Sequence, residues 1–396
     1  MIYKNITEVC NIQIGKTPKR SEGKYWGKGN SWISIADMNS KFIGNSKEEV
    51  SDLAIKENNM KIVPGNTVIM SFKLSIGKVA ITTKELYTNE AIAAFTIKNH
   101  NLLLAEYLYY ILKSYNYDHL MDNAARGKTL NKRKLEQIEI PLISIKDQEQ
   151  IIKVLNKAED LLRYRKQQIE ALSSLKQSVF FDMFGDSITN PNNYPVNILD
   201  EIATVRSSKR VFVKELTDDG IPFYRGNEIG LLAEDKELES ILYISKDHYE
   251  ELKKSSGIPA IGDLLLPSIC SDGRIYRVNH NEPFYFKDGR VLWIKFFDEK
   301  DVNSTYIQYA LKDKFLRDYS NIASGTTFAE LKIFSLKKVE IMVPPINLQN
   351  KFENIVTQIE NQRTTLKNSL NKMNLLYDSI LHKAFNGELF KEGINV

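Results

Sequence analysis

Two Gly-Lys-Thr triplets, Gly15-Lys16-Thr17 and Gly127-Lys128-Thr129, have the residue types that grip a nucleotide triphosphate. A phosphate loop also needs a glycine five residues before the Gly-Lys pair, because its backbone N–H groups wrap the phosphates. Those positions hold Cys10 and Asp122, so nucleotide binding is not expected at either triplet. Methyl transfer to adenine would require an Asn/Asp-Pro-Pro-Tyr/Phe grip on the base, and the one Pro-Pro, Pro344-Pro345, lies in Val-Pro-Pro-Ile at the entrance to a helix. Two cysteines, Cys10 and Cys270, and 5 scattered histidines make neither a disulfide framework nor a cluster with metal-ligand spacing. No nuclease set of carboxylates with lysine emerges, and no Ser-His-Asp order with an elbow motif. Neither catalysis, cofactor nor metal is expected of this chain alone.

The residue types do support contact with a polyanion. The stretch GKTPKRSEGKYWGKGNSW interleaves Lys16, Thr17, Lys19, Arg20, Lys24 and Lys28 with Tyr25, Trp26 and Trp32. Its later counterpart, VRSSKRVFVK, holds Arg206, Lys209, Arg210 and Lys214 and is followed by Arg225 and Asn227. Lysine and arginine fix a protein on DNA phosphates, whereas Arg, Asn, Ser and Thr can read base edges. By the same reasoning Ser71, Lys73 and Lys78 join Arg126 and Lys128 in the first half of the chain. Ser268, Arg274, Arg277, Thr326 and Thr327 are the candidates in the second half. Each stretch also reads as a solvated loop.

These residues need elements to hold them. The chain has 396 residues, 42% of them hydrophobic, which suits two or three globular domains. The most apolar run, VIMSFKLSIGKVAI, is broken by Lys73 and Lys78, so no membrane span is expected, and the N-terminus lacks an apolar signal core. A cytoplasmic protein is the expectation. Net charge is +4, but residues 1–143 hold 20 basic against 14 acidic residues while 191–343 hold 21 against 24. A second DNA-binding half must therefore use clustered rather than abundant charge.

The two halves repeat. At a constant offset of 201, Ile140 falls on Ile341, Gln148 on Gln349, Leu155 on Val356, Leu172 on Met373, Ser178 on Ser379 and Phe184 on Phe385. Upstream, NAARGKTL resembles NIASGTTF, AEYLYYILK resembles STYIQYALK, and PGNTVIMSFKLSIGKVAI resembles IGDLLLPSICSDGRIYRV. Short β-type runs followed by helices at 103–120 and 304–319 predict two small α+β domains, with Asn-Pro-rich 190–195 between the halves.

The matched segments predict long helices. In the first, Ile151, Leu155, Ala158, Leu162, Ile169, Leu172 and Val179 follow four-three spacing, interrupted at Arg165 and Lys176. Phe352, Val356, Ile359, Leu366, Leu370, Met373, Tyr377 and Ile380 repeat it, interrupted at Arg363. Such a stripe is a coiled-coil seam, and two matching seams can bury one another along a helix pair roughly 45–55 Å long.

In this order and twice over, the motifs resemble the specificity subunits of type I restriction-modification systems, across nearly the whole chain. GKTPKRSEGKYWGKGNSWISIADM is similar to the start of that family's target recognition domain, IEIPLISIKDQEQI to the entry of its conserved helix, and KQSVFFDMFGD and DSILHKAFNGEL to its helix endings. The resemblance implies target recognition domains at 1–143 and 196–343, conserved spacer helices at 144–186 and 344–396, and a linker at 187–195. The helices would run antiparallel in a pseudo-two-fold repeat. It implies reading of a bipartite, asymmetric double-stranded DNA target. Two modification subunits and a restriction and translocase subunit would be partners, with S-adenosylmethionine, ATP and Mg2+ belonging to those partners. Two departures stand out: the second domain lacks the Thr-Pro and Tyr-Trp-Gly signatures, and the first helix entry has Ile143-Ser144 where the second has Pro344-Pro345. Service to a fused nuclease-methyltransferase, a solitary nucleic-acid-binding coiled-coil scaffold and a self-contained enzyme remain as alternatives.

Overall fold

A computed structural model describes residues 2–124, 127–297, 302–325, 329–386 and 388–389, with the side chains of 122–124 and 127–129 left aside. The chain forms two compact units, Met1–Lys166 with Asn368–Val396, and Gln167–Lys367. This division cuts across the boundaries drawn from sequence, because each long helix contributes one half to each unit.

The first unit centres on a five-stranded sheet of β1 (Cys10–Ile14), β2 (Phe42–Ile43), β3 (Val68–Ser71), β4 (Val79–Thr82) and β5 (Ile92–Ile97), in the order β1-β5-β3-β4-β2. Both faces are buried, which explains why its strands read as continuous apolar runs. Val68, Met70, Ile81, Ala93 and Phe95 face one core, while Ile69, Ala80, Ile92 and Ala94 face another. The first core is closed by helix α1 (Ala105–Ser114) and by the start of α2 (Ile145–Phe184) through Ile151 and Leu155. Helix α1 is shorter than the 103–120 expected, because Tyr117 turns back into the core and its hydroxyl donates to the Leu112 carbonyl at 2.6 Å.

The second unit repeats the plan. Strands β6 (Ala203–Arg206), β7 (Leu264–Pro267), β8 (Tyr276–Arg277) and β9 (Val291–Phe296) take the order β6-β9-β7-β8. Leu264, Leu266, Leu292 and Ile294 enter a core closed by α3 (Ser304–Ile322) and by α4 (Ile346–Phe385) through Phe352 and Val356. Helices α2 and α4 each have 40 residues, about 60 Å at 1.5 Å per residue, and both ends of one lie 201 residues from those of the other.

The repeat extends to individual hydrogen bonds. Tyr107 donates to the Pro141 carbonyl at 3.1 Å, as Tyr306 donates to that of Met342 at 2.8 Å. The Oε1 of buried Gln148 accepts from Leu104 N–H at 3.0 Å and its Nε2 donates to the carbonyls of Leu102 and Ile143. Gln349 does the same with Asn303 N–H at 2.8 Å and the Pro344 carbonyl at 2.7 Å. Each glutamine ties the start of a domain helix to its long helix. Gln148→Leu keeps the volume but strands three backbone groups, so it is expected to cost about 3 kcal/mol; a urea-unfolding loss below about 1 kcal/mol would contradict this role.

The long helices run antiparallel: Glu159 accepts from the Tyr377 hydroxyl at 2.8 Å in the first unit, and Lys176 pairs with Glu360 in the second. The seam is not uniform. Its ends are buried at Ile151, Leu155, Phe352, Val356, Ile359 and Tyr377, and Ala158, Leu162, Val179 and Ile380 pack on the cores. Ile169, Leu172, Leu366, Leu370 and Met373, nearer the middle, keep partial exposure. Two of the polar interruptions have a reason, since Lys176 and Arg363 converge on Glu360. Burial pushes the Glu360 carboxyl up, but these two cations together hold it below its ordinary value.

Candidate nucleic-acid interface

In the first unit the segment 15–25 leaves β1 and lies against the strand Trp26–Ile33, which pairs with Glu48–Val50 and whose Trp26 and Trp32 indoles donate to the carbonyls of Lys19 and Lys16. Lys16 is anchored by its backbone N–H on Thr88 O at 2.8 Å and by its Nζ on Asn58 O at 3.0 Å. No α-helix opens directly after Thr17, whose hydroxyl donates to Glu90, so the triplet lacks the loop-to-helix geometry of a phosphate loop. Arg20 forks onto Glu48 and lies over Trp26 and Trp32, 4.1 and 5.0 Å from their ring centroids. Lys19 pairs with Glu22, while Lys24 and the Tyr25 hydroxyl share Glu57. Lys28 is exposed, with no partner among the described residues.

The turn from β3 to β4 lies beside a second hairpin. Ser71 is buried, and its Oγ accepts from Lys78 N–H at 3.1 Å, so this hydroxyl serves the turn rather than a ligand. Lys73 lies over Phe72, and Lys78 is exposed. Phe72 N–H donates to Ala91 O at 2.9 Å, and its carbonyl accepts from Leu130 N–H at 3.2 Å. That second bond brings the ribbon of Asp122–Ala124 and Gly127–Thr129 alongside, although Arg126 and the Lys128 side chain lie outside the described residues.

The second unit presents the same junction. Ser268 N–H donates to Arg290 O at 2.9 Å, and Ser268 O accepts from Leu331 N–H at 2.7 Å. The residue equivalent to Ser268 is therefore Phe72, not Ser71, and the sequence pairing was one residue out of register. A one-residue slip moves every side chain to the other face, and Ser268, itself buried, is not a surface candidate. Thr326 and Thr327, on the adjoining segment, lie outside the described residues.

Around this junction Lys209 and Arg210 are exposed, and Arg210 pairs with Asp288 at 2.9 Å. Other candidates serve the fold. Arg206 donates to Ser256 O and covers Trp293, and Arg225 forks onto buried Glu228, which caps the helix Gly226–Ala233 beside exposed Asn227. Arg277 turns toward α4, donating to Ser304 at 2.8 Å and pairing with Glu353 at 3.1 Å. Arg274 pairs with Asp272 at 2.6 Å.

Sequence reasoning passed over Lys287 and Arg290. With Arg210, Phe212 and Val213 they line one shallow cleft, where Arg290 and Lys332 share Glu330. Val213 is 81% exposed and Phe212 54%. The signal was available, since Lys287-Asp288-Gly289-Arg290 is a turn dipeptide flanked by two cations. Arg210, Lys287, Arg290 and Lys332 thus gather beside Asp288 and Glu330 within a domain that is net acidic. Ion pairs at the surface are worth about 1 kcal/mol or less.

Among the described residues no group of acidic, histidine or cysteine side chains could hold a metal ion, and no helix is long and apolar enough to cross a membrane. Burial pushes the thiols of Cys10 and Cys270 up to about 12, which makes both poor nucleophiles. The exposed cations of the chain have the charge to hold a phosphate backbone.

The family model of the type I restriction modification DNA specificity domain matches residues 2–173 and again 191–374. Over 98% of its length the chain is 25% identical to the type I restriction enzyme MjaIX specificity subunit of Methanocaldococcus jannaschii, covering 93% of that protein. Among solved structures, it is similar to the type I restriction-modification system S subunit from M. genitalium, with a TM-score of 0.52 at 15% identity over 97% of this chain and 96% of that one. It is also similar to a chain from a structure addressing complex assembly and conformational transition of the type I R-M system, with a TM-score of 0.63 at 15% identity over 98% of each. These structural likenesses speak for the fold: two similar α+β units on a pair of long helices.

Proposed function

The chain belongs to the type I restriction modification DNA specificity family, and from that premise we propose that each of its two units reads one half of a bipartite DNA target for a type I restriction-modification complex. The observation that supports this most directly is the junction built twice, with Phe72 and Ser268 each bonded to the turn before the last sheet strand and to the segment before the conserved helix. It carries Lys73 and Lys78 in one unit and Arg210, Lys287 and Arg290 in the other. Different side chains on one framework are what two different half-sites require.

In this reading the chain supplies the address and its partners the chemistry. Two modification subunits bring S-adenosylmethionine for adenine methylation, and a restriction subunit brings ATP and Mg2+, all in the cytoplasm. Leu161, Tyr164, Leu375 and Leu376 in the first unit and Leu175 in the second remain exposed on the long helices, and apolar surface of this kind suits partner docking. Leu175 and Leu376 occupy equivalent positions, which supports one modification subunit per half.

Mapping methylated adenines genome-wide with and without this gene tests the reading, and loss of an interrupted, asymmetric motif on deletion is the expected result. Phosphate contact is tested separately. Replacing Lys28 and Lys78 with alanine is expected to weaken binding to all duplexes alike and to reduce the log–log salt slope by about two. An unchanged slope between low and moderate salt would return both lysines to the solvated surface. Arg20→Ala should change the slope by less than one full contact, since Glu48 already neutralises that guanidinium.

A further inference from the structure

We propose that Leu74 is a specificity-determining residue, making a direct apolar contact with a base of the first half-site; this rests on the reading that the first unit binds that half-site. Leu74 sits at the tip of the β3–β4 turn, 84% exposed, with φ at +64°. The other described non-glycine residues with positive φ are Asn59, Asn66, Asn190, Asn193 and Asp235, types that tolerate the left-handed region. Leucine gains nothing there from local bonding and nothing from burial. Strain of this sort persists when the surrounding structure imposes it, and it clusters where a side chain has work to do.

The surrounding structure does impose it. Ser71 N–H donates to Lys78 O at 2.9 Å and Gly77 N–H to Ser71 O at 3.0 Å, closing the turn on a buried serine, while Phe72 is buried and Ile76 packs on the core. The tip is thus a fixed apolar point rather than a loose loop. Its flanks select the occupant: Lys73 and Lys78 adjoin it. A two-stranded ribbon fits the major groove, where lysines hold phosphates and an apolar side chain meets base edges and the thymine methyl.

The test uses the full chain with its modification subunits, comparing Leu74→Gly, Leu74→Met and Lys78→Ala. Glycine relieves the backbone, so the Leu74→Gly melting temperature should hold or rise. Affinity for a duplex carrying the mapped motif should fall about tenfold while affinity for a random duplex and the salt slope stay unchanged. The methylation motif should relax at one base of the first half-site only, and Leu74→Met should restore it. A Leu74→Gly protein with the wild-type motif and affinity would overturn the proposal. So would equal loss on both duplexes, or loss of the modification subunits with DNA binding intact, which would make the tip a protein contact. If the half-site reading itself is wrong, the wild type will show no bipartite motif and Lys78→Ala no effect.

Discussion

Truncating Phe184 to alanine is expected to destabilise the second unit by about 4 kcal/mol. Phe184 is fully buried, with ring centroids at 4.7 Å from Tyr306, 5.3 Å from Phe180 and 5.5 Å from Phe352. These rings come from the end of α2, from α3 and from the start of α4, so one side chain joins three helices that lie far apart in sequence. Removing it leaves a cavity that three aromatic neighbours cannot easily collapse into. Among the described residues the equivalent Phe385 has one ring partner, Tyr107 at 5.6 Å, and is only partly buried. Phe385→Ala is therefore expected to cost about 2 kcal/mol. Because domain stability is typically about 5–15 kcal/mol, the first change should separate the unfolding of the second unit from that of the first in a calorimetric scan. Equal losses at the two positions would show that the aromatic cluster does not hold the second unit.

The long helices were legible because a helix buries a face at a fixed spacing, and because the face occurs twice. Their bounds at 145–184 and 346–385 keep the offset of 201 seen between Gln148 and Gln349. Periodicity reveals a face but not what covers it. Ile151 and Leu155 read as coiled-coil seam, yet they complete a core with β3, β5 and α1. The register of β3 against β7 was misread for a related reason: strands buried on both faces lose the alternation that would fix the phase. Partners of the surface cations were illegible because they are remote, Glu48 being 28 residues from Arg20 and Asp288 78 from Arg210. The same distance hid Arg277, a candidate base reader by type that instead pairs with Glu353 on α4.

A fragment ending at Asn190 is expected to form a closed two-fold dimer rather than a monomer. Such a fragment lacks Tyr377, Leu381, Ala384 and Phe385, which finish the core of the first unit, and leaves Phe180 and Phe184 without the second unit that buries them. Both deficits are met by a second copy. At the offset of 201 Phe180 stands for Leu381, Met183 for Ala384 and Phe184 for Phe385. The end of α2 from one copy can therefore enter the first unit of the other, where Phe184 would meet Tyr107 as it meets Tyr306 in the intact chain. Each copy gives and receives the same segment, which is the condition for closure. Lys176, at the position of Tyr377, would face Glu159 and replace a phenol hydrogen bond with an ion pair. The fit is imperfect because Phe180 is larger than leucine and Met183 larger than alanine. Overpacking of this kind costs about 1–3 kcal/mol at each of the two symmetric sites, so that about 1.5 kcal/mol per site already amounts to roughly a hundredfold in dissociation constant. Installing Phe180→Leu and Met183→Ala in the fragment restores the first unit's own residues and should tighten the dimer by about that factor. Sedimentation velocity measures the mass. With modification subunits added, methylation sequencing should return an interrupted palindrome made of the first half-site twice. A fragment that stays monomeric at tens of micromolar, or a double variant that dimerises no more tightly, would show that the end of α2 cannot occupy the site of the end of α4.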